Sequence, residues 1–404
     1  MENLSPNQKA LRRLLRNRPA LFGLAVIALS VLTAILGYAI APDSTTDTND
    51  QVPTVALKNP NFSVKMLALR KNRMIETRGF FGKMLFGSPN VLEYLPINSF
   101  EIKNDSIFVE KYAGEDPNSG KILRGRSVTF HLVDVAFAVN ADEKINREGS
   151  NYRFVDAENQ PQVVDTEGVR KIVNDQIFDK IYRLGTDNFG RDTLSRLILG
   201  VRISLLVGLI AVIISLTIGI LLGALAGYFG GRTDDLIMLL INTIWSIPTI
   251  LLVFAIVLAF GRGVSIIFLA VGLTMWVDVA RLVRGQVLSL KEVQFVEAAQ
   301  SMGFSTGRIL LRHILPNVLG PVMVVAASNF ATAILIESGL SYLGFGIQPP
   351  TPSWGTMLNE NYGYAIGGKP ILAMIPAFAI MLMVLAFNLV GNGFRDALDV
   401  KIKD

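Results

Sequence analysis

Cysteine is absent from this sequence of 404 residues, and histidine occurs only at His131 and His313. The lack of cysteine excludes disulfide bonds and thiolate metal sites. Two histidines so far apart in the chain do not form the pattern of a histidine metal cluster. We therefore expect no metal site.

Charged residues are also scarce. They make up 18% of the chain, whereas soluble domains average about 25%, and 51% of the residues are hydrophobic. The missing charge is concentrated in apolar stretches that are long enough, or nearly so, to cross about 30 Å of hydrocarbon as helices. These stretches are residues 21–41, 203–229, 235–260, 264–280, 317–347 and 371–394. The sequence therefore predicts an all-α polytopic membrane protein with about six transmembrane helices.

The N-terminus imitates a secretory signal, because residues 1–20 are basic and an apolar run with small residues at its end follows them. Signal cores are about 7–15 residues long, which is shorter than the run from Ala20 to Ala41. We expect residues 21–41 to remain as an uncleaved first membrane helix behind a cytoplasmic N-terminal segment, 1–20.

Lysine and arginine favour one side of the predicted membrane. They precede the first stretch, occupy the loop after the fourth and follow the last, whereas the short opposite loops carry only Arg262 and Lys369. Since cytoplasmic loops are enriched in basic residues, we expect a protein of the bacterial inner membrane with both termini on the cytoplasmic side. Four arginines approach the second stretch from the other side: Arg183, Arg191, Arg196 and Arg202. The long segment before them is translocated largely regardless of charge, so they do not change the prediction.

The basic residues form no stripe with interleaved aromatic residues, although the net charge is +5. A nucleic-acid partner is therefore not expected, and membrane lipid is.

Residues 42–186 have the composition of a soluble domain and predict an inserted extracytoplasmic α+β domain. Strands are predicted at 106–112 and 127–140, with turn-forming residues at 116–120 between them. A helix is predicted at 165–182, with Asp165 as its N-cap. In residues 62–86 apolar and basic side chains alternate, which is typical of a helix on the membrane surface or of a core-facing helix with a solvated basic face.

The loop between the fourth and fifth stretches, residues 288–316, predicts two short helices. Gly303 stands where the first helix would end in a left-handed residue. Ser305 or Thr306 can cap the second helix, and Pro316 predicts a break before the fifth stretch.

The first of these helices has a face of apolar and small residues, namely Phe295, Ala298, Ala299 and Met302. Small side chains permit close approach and Glu297 supplies a charge, which suits insertion into a groove of a partner protein. The alternative is an amphipathic loop that rests on the membrane bundle of its own chain.

This loop resembles the signature loop of permease subunits in binding-protein-dependent ABC importers, through Glu297-Ala298-Ala299, Gly303 and Leu315-Pro316. Residues 313–317, His-Ile-Leu-Pro-Asn, are similar to the dipeptide, oligopeptide and nickel branch. Four further stretches are similar to the second, C-type, permease of that branch: Leu184–Arg196, Ser341–Gly346, Gln348–Gly355 and Asn388–Asp399. The resemblance covers residues 184–404 and, more loosely, the first helix.

The resemblance implies a permease core at 187–404 with five membrane helices. It also implies a role in coupling to an ATPase for Glu297, Ala298, Ala299, Gly303, Leu315 and Pro316. The implied partners are a homologous permease, forming a heterodimer, two cytoplasmic ABC ATPase subunits and an extracytoplasmic substrate-binding protein. Peptides are the commonest cargo of that branch, and nickel complexes and sugars are less common.

ATP is then bound by the partner subunits, so we expect no cofactor and no catalytic residue in this chain. The nearest match to a phosphate-binding loop is at 363–369, where Pro370 replaces the hydroxyl that binds Mg²⁺.

Polar residues inside the predicted spans are candidates for the translocation pathway: Asn242, Ser246, Asn329 and Glu337. A charge near mid-bilayer costs on the order of 3 kcal/mol, so Glu337 is expected to face the interior, either in the pathway or in a structural hydrogen bond. Asp278 lies three residues before Arg281 and predicts an intrahelical ion pair. Pro248 and Pro376 predict bends or interruptions of the third and sixth spans.

Three glycines spaced four residues apart, Gly219, Gly223 and Gly227, predict close packing of the second span against a neighbour.

Two other classes of protein compete with the importer interpretation. An ion-coupled secondary transporter would need acidic or histidine relays in several spans and inverted repeats, neither of which is evident in the sequence. A membrane-anchored sensor would bind its ligand in residues 42–186. Uptake that requires a partner ATPase and ATP would distinguish the importer from both.

Overall fold

The computed structural model describes residues 6–398, apart from 74, 76, 77, 117, 118 and 120. Met74, part of the predicted amphipathic segment, and most of the predicted turn at 116–120 lie outside the described residues. The chain forms two compact units. We call them the membrane unit, Met1–Ile35 with Gly200–Asp404, and the insert unit, Leu36–Leu199.

The helices are, in chain order, α1 (Pro6–Arg16), α2 (Arg18–Ile40), α3 (Phe80–Phe86), α4 (Leu132–Ala136), α5 (Thr166–Asp175), α6 (Thr193–Phe229), α7 (Gly231–Trp245), α8 (Thr249–Phe260), α9 (Val264–Lys291), α10 (Gln294–Ser301), α11 (Thr306–Ile309), α12 (Leu315–Tyr342), α13 (Trp354–Ile366) and α14 (Ile371–Leu398). The strands are β1 (Phe62–Arg70), β2 (Leu92–Lys103), β3 (Ser106–Glu115), β4 (Ile122–His131), β5 (Asn146–Glu148), β6 (Asn151–Val155), β7 (Pro161–Asp165) and β8 (Ile177–Tyr182).

The insert unit contains two antiparallel sheets. The larger has the strand order β4-β3-β2-β1-β8, and the smaller has the order β5-β6-β7. Leu67 in β1 faces Leu95 in β2 on one side and Ile177 in β8 on the other, so β1 is an inner strand.

Both faces of β1 are buried, which explains its nearly continuous apolar sequence. Leu67 packs in a core with α4, α5 and Tyr152 of β6, whereas Val64 and Met66 pack with the segment around Val55. A strand that is covered on both faces needs apolar residues in succession rather than in alternation.

Three sequence predictions for this unit need correction. Residues 62–70 form an inner strand, so they are neither a surface helix nor a core-facing helix. The predicted strand at 127–140 ends at His131, where the ring nitrogen Nδ1 accepts a hydrogen bond from the amide of Val133 and α4 begins. The predicted helix at 165–182 is correct only as far as Asp175, because residues 177–182 are drawn into the sheet as β8 by pairing with β1.

Asp165 is the N-cap of α5, as predicted. Its carboxylate accepts a hydrogen bond from the amide of Gly168, and Val169 and Val173 are fully buried beneath the helix.

Two of the four arginines that precede the second predicted span, on the side predicted to be opposite to the cytoplasm, form buried ion pairs. Arg191 and Arg196 are each about 1% exposed, and their Nε atoms lie 2.6 Å and 3.6 Å from Oδ2 of Asp187. Asp187 therefore compensates one of these two positive charges inside the insert unit. Next to them, burial raises the pKa of Asp192, which accepts a hydrogen bond from the Ser195 amide at 2.8 Å.

This cluster generates a stability prediction. Asp187→Ala removes the carboxylate that both buried guanidinium groups contact, and losing one partner of a buried ion pair typically costs about 3–5 kcal/mol. We expect faster amide hydrogen exchange across residues 184–199 of the full-length chain. Glu101→Ala, which removes one partner of an exposed ion pair with Lys103, should leave exchange unchanged. Equal exchange in both variants would contradict a structural role for Asp187.

The membrane unit is helical, and the described residues contain five helices or continuous helical runs of sufficient length and apolarity to cross a membrane. They are α2, α6, α9, the run Thr306–Tyr342 and α14. The pair α7 and α8 makes a sixth if both halves count as one span, because it is bent by 88° at a short break. Pro248 stands at this break as the N-cap residue of α8, so the predicted interruption of the third span is confirmed.

Pro376 lies inside α14 and does not interrupt it, so of the two predicted effects a bend remains a prediction. The predicted break at Pro316 is wrong, because Leu310–Ile314 forms a π-helical segment that carries α11 directly into α12. Pro316 lies in the first turn of α12, where the missing amide hydrogen costs little.

The three spaced glycines lie at the contact of α6 with α9, as predicted. A Cβ atom at Gly219 would lie 2.5 Å from Cβ of Val279, and one at Gly227 would lie 2.8 Å from the carbonyl oxygen of Arg284. The backbones of the two helices can approach this closely only because no side chain intervenes.

A pair of glycine substitutions tests this contact. Gly223→Ala would place its Cβ 2.4 Å from the carbonyl oxygen of Ala280, so the helices must separate. Overpacking of this kind typically costs about 1–3 kcal/mol, and we expect a lower melting temperature of the purified chain. Gly285→Ala in α9 meets open space and should not lower it. A Gly223→Ala variant as stable as the wild type would refute close packing here.

Candidate functional site

The loop at 288–316, which we call the coupling loop, begins as a short helix with a defined end. In α10 the amide of Gly303 donates to the Gln300 carbonyl at 2.9 Å, and the amide of Phe304 donates to the Ala299 carbonyl at 3.2 Å. Gly303 has a φ of 74°, which only glycine adopts without strain. These two bonds are those of a Schellman motif, so the predicted role of Gly303 is confirmed.

One face of the coupling loop is buried against the membrane spans. Val296 and Ala299 of α10 and Ile309 and Ile314 of the second helix are at most 1% exposed. They form one apolar cluster with side chains of α6, α9 and α12: Ala224, Val279, Val283, Val287, Val318 and Val322. The coupling loop therefore shares its core with the spans that flank it.

The opposite face is open in the single chain. Met302 is 65% exposed, Phe295 is 41% exposed and Leu311 is 70% exposed, and Glu297 and Ala298 are also exposed. The predicted face of Phe295, Ala298, Ala299 and Met302 is thus divided. Ala299 is buried because it lies one turn after Val296, whereas the other three point outward.

The second helix of the coupling loop is held by stacked side chains. The ring of His313 stacks on that of Phe304 with centroids 5.9 Å apart, and the guanidinium of Arg308 lies 4.3 Å from the Phe304 centroid. Ser305 occupies the N-cap position without a side-chain hydrogen bond. Leu315 is half-buried and Pro316 is exposed.

The predicted pathway residues Asn242 and Ser246 are both exposed on the single chain. Asn242 accepts a hydrogen bond from Nη2 of Arg281 at 3.4 Å, and the guanidinium of Arg281 lies 3.8 Å from the ring of Trp245. The hydroxyl of Ser246 donates to the carbonyl oxygen of Thr243 within its own helix at 2.7 Å.

The predicted ion pair between Asp278 and Arg281 is not formed in the part of the chain that the structure describes. Arg281 is instead engaged by α7 through Asn242 and Trp245, which combine a hydrogen bond with a cation–π contact. Asp278 remains exposed on α9. Sequence spacing alone did not reveal that a second helix competes for Arg281.

Asn329 and Glu337 are buried inside the single chain. Asn329 is 5% exposed, and its amide nitrogen donates to the carbonyl oxygen of Met275 at 3.4 Å, which joins α12 to α9. Glu337 has no exposed surface, and Oε1 accepts a hydrogen bond from the hydroxyl of Ser341 at 2.8 Å. Of its two predicted roles, the structural hydrogen bond is the one that this geometry shows.

Glu337 begins a chain of hydrogen bonds that reaches α13. The amide of Ile347 donates to Oγ of Ser341 at 3.0 Å, and the hydroxyl of Thr356 donates to the carbonyl oxygen of Ile347 at 3.0 Å. Oγ of Ser353 caps α13 by accepting from the amide of Thr356 at 3.1 Å. The motif residues at 341–346 and 348–355 therefore connect α12 to α13.

Sequence reasoning missed α13. Its signal was present, because Ser353 follows Pro352 and precedes a run without a further proline until Pro370. With 13 residues, several of them polar, α13 is too short and too polar to be recognised as a membrane span.

The hydrogen-bonded chain generates a prediction for Ser341. Ser341→Ala removes a donor to a fully buried carboxyl group and an acceptor for the Ile347 amide. Leaving buried polar groups unsatisfied costs about 1–3 kcal/mol each, so we expect a clearly lower melting temperature. Thr332→Ala, which removes only a hydrogen bond at an exposed position of α12, is the matched control. Similar melting temperatures for the two variants would contradict the assigned role.

Together, the helical spans and a loop packed on them with one exposed face define a multi-pass membrane protein. Comparison with known proteins identifies the class. The family described as binding-protein-dependent transport system inner membrane component matches residues 219–404, and the N-terminal TM domain of oligopeptide transport permease C matches residues 5–60.

Individual relatives agree with these matches. The oligopeptide transport system permease protein OppC of Bacillus subtilis (strain 168) is 40% identical over 224 residues, which are 55% of this chain and 73% of the relative. OppC of Escherichia coli (strain K12) is 48% identical over 217 residues, 54% of this chain and 72% of the relative. The glutathione transport system permease protein GsiD of Escherichia coli O6:K15:H31 (strain 536 / UPEC) is 48% identical over 219 residues, with the same two coverages of 54% and 72%.

Among solved structures, the MetNI methionine ABC transporter is similar with a TM-score of 0.41 and 19% identity, covering 50% of this chain and 96% of that one. The chain belongs to the family of binding-protein-dependent transport system inner membrane components, and its resemblance to the C-type permeases of peptide importers is confirmed. It is a permease subunit of an ABC importer, a class in which partner subunits hydrolyse ATP.

Proposed function

We propose that this chain pairs with a homologous permease to form the translocation pathway of a peptide importer, and that two ATPase subunits drive it through the coupling loop. The observation that carries the proposal is the two-faced coupling loop. Its inner face is part of the core of α9 and α12, and its outer face is free to bind. A partner protein that binds the outer face and changes its position would therefore move both α9 and α12.

Peptide cargo is supported by the relatives, whose names specify oligopeptides, dipeptides or glutathione. These compounds share peptide bonds and charged ends, so short peptides are the proposed substrate class. In importers of this kind the extracytoplasmic binding protein delivers the substrate to the permeases.

The proposed orientation has both termini and the coupling loop in the cytoplasm and the insert unit outside. The basic residues support it: Arg12, Arg13 and Arg16 of α1, with Arg308 and Arg312 of the coupling loop, would all face the cytoplasm. The pairing of the buried Arg191 and Arg196 with Asp187 reduces the net positive charge on the opposite side of the membrane.

The exposed polar residues of α7 and α9 are the proposed pathway positions. We add Asp278 to Asn242 and Ser246 as a pathway position. The side chains of all three are exposed on the single chain and can line an interface with the second permease. Asn329 and Glu337 are buried within this chain, so we assign them to holding α12 in place rather than to contact with substrate.

Reconstitution tests the proposal as a whole. The chain would be purified with its co-expressed partner permease and ATPases and placed in liposomes with the binding protein outside. We expect uptake of labelled di- and oligopeptides that requires ATP on the ATPase side. Uptake driven by an ion gradient without ATP, or an ATPase that never associates with the chain, would overturn it.

A matched pair of substitutions tests the coupling loop. A β-branched residue cannot adopt the positive φ of Gly303, so Gly303→Val should disrupt the end of α10, whereas Gly307→Val faces open space in α11. We expect loss of ATPase co-purification and of uptake for Gly303→Val only, with similar amounts of both variants in the membrane.

Glu297→Ala extends the test to the exposed face. If Glu297 forms a desolvated ion pair with the ATPase, its removal weakens the complex by about 2–5 kcal/mol, which is readily seen as lost co-purification. Wild-type association and transport in both Gly303→Val and Glu297→Ala would exclude the coupling loop as the docking element.

A further inference from the structure

Helix α3 of the insert unit exposes an unusual concentration of large apolar side chains. Phe80 is 76% exposed, Phe81 73%, Leu85 55% and Phe86 61%, and no residue of the helix is buried. Apolar surface left in water costs roughly 25 cal/mol per Å², so a patch of this size indicates a covering surface. Within the described residues of the insert unit, nothing covers it.

The position of α3 is fixed beside the end of the first membrane span. Tyr38 lies in the last turn of α2, and a Cβ atom at Gly87, directly after α3, would lie 2.7 Å from its ring. Ser88 then pairs with the chain that leaves the span: its amide donates to the carbonyl oxygen of Ser44 at 2.7 Å, and its carbonyl oxygen accepts from the amide of Thr46 at 3.2 Å. All of these residues belong to the insert unit.

Arg78 strengthens this attachment. Its Nη1 donates to the carbonyl oxygens of Phe86 and Gly87 at 2.6 Å and 3.1 Å, and to the hydroxyl of Thr46 at 3.1 Å. The guanidinium therefore joins the C-terminal end of α3 to the segment that follows the span, and α3 cannot move far from the end of α2.

The end of the first membrane span, α2, lies next to α3 and indicates that lipid covers the apolar side chains of α3. Ile40, the last residue of α2, is 51% exposed, and α2 has the length and composition to cross a bilayer. The apolar surface of α3 begins next to the place where this span leaves the hydrocarbon. Tyr38, with its hydroxyl accepting from the Asp47 amide at 3.1 Å, has the amphipathic character of an interfacial aromatic residue.

We propose that α3 inserts its aromatic and aliphatic side chains into the lipid interface on the side of the membrane that carries the insert unit. The exposed Lys83, on the same helix, is suited to contact phospholipid phosphates. The insert unit is then attached to the bilayer through α3 as well as through the spans that precede and follow it. This inference requires only that α2 spans the membrane, and it is independent of the cargo and of the ATPase partner.

Because the chain has no cysteine, a single label can be placed without altering other positions. Phe81→Cys and Leu85→Cys would each be labelled with an environment-sensitive fluorophore in the full-length chain, in lipid nanodiscs. Val163→Cys is the control, because Val163 in β7 of the same unit is an apolar residue that is 57% exposed. Each sample is titrated with a spin-labelled phospholipid quencher in the bilayer and with iodide in the water.

We expect the labels at positions 81 and 85 to lose most of their emission to the lipid quencher and to resist iodide, with the opposite result at position 163. Quenching at 81 and 85 that matches position 163 would overturn the proposal. Protection from iodide without quenching by lipid would also overturn it, since the patch would then be covered by protein. The result does not depend on transport, so its failure is distinguishable from failure of the proposed function.

Discussion

The structure of the membrane unit depends on one continuous apolar contact, the cluster that joins the coupling loop to α9 and α12. Val296, Ala299, Ile309 and Ile314 lie in the same core as Val283 and Val318. Packed cores resist deformation, so a force on the loop is transmitted to the spans rather than absorbed at their junction. The π-helical connection has the same effect at one end of the loop, because it leaves no break between α11 and α12.

The outer face of the coupling loop carries exposed apolar side chains together with Glu297, Arg308 and Arg312, and the open polar positions on α7 and α9 lie elsewhere on the chain. Under the proposed function, binding of the ATPase and contact with substrate therefore take place on different surfaces of the chain. The buried hydrogen bond from Asn329 to the Met275 carbonyl oxygen holds α12 against α9, whereas Glu337 accepts a hydrogen bond from Ser341 within α12.

The features that the sequence predicts well are those that local chemistry determines. The break at Pro248, the left-handed end at Gly303, the N-cap at Asp165 and the close approach at Gly219 each follow from what one residue type can or cannot do. The spans are predictable for the same reason, because hydrocarbon excludes charge over a fixed thickness.

The features that the sequence predicts poorly depend on partners distant in the chain. Ile177 and Ile181 continue the helical spacing of α5, yet they enter the sheet because β1 is available to pair with them. Arg281 has Asp278 at helical spacing but binds Trp245 and Asn242 of another helix. Pro316 predicts a helix break only if the preceding turn is α-helical. The preceding turn, Leu310–Ile314, is π-helical instead, and the helix continues.

If the coupling loop and its spans move as one body, the distance between them stays fixed during transport. Met302 and Leu319 are both exposed, so spin labels at Met302→Cys and Leu319→Cys report on the loop and on α12 without disturbing their shared core. In the active, reconstituted complex, pulsed electron paramagnetic resonance would compare this distance with and without ATP. We expect a narrow distance distribution that is the same in both conditions. A distance that shifts or broadens with nucleotide would show that the loop moves against its own spans, and rigid coupling would be excluded.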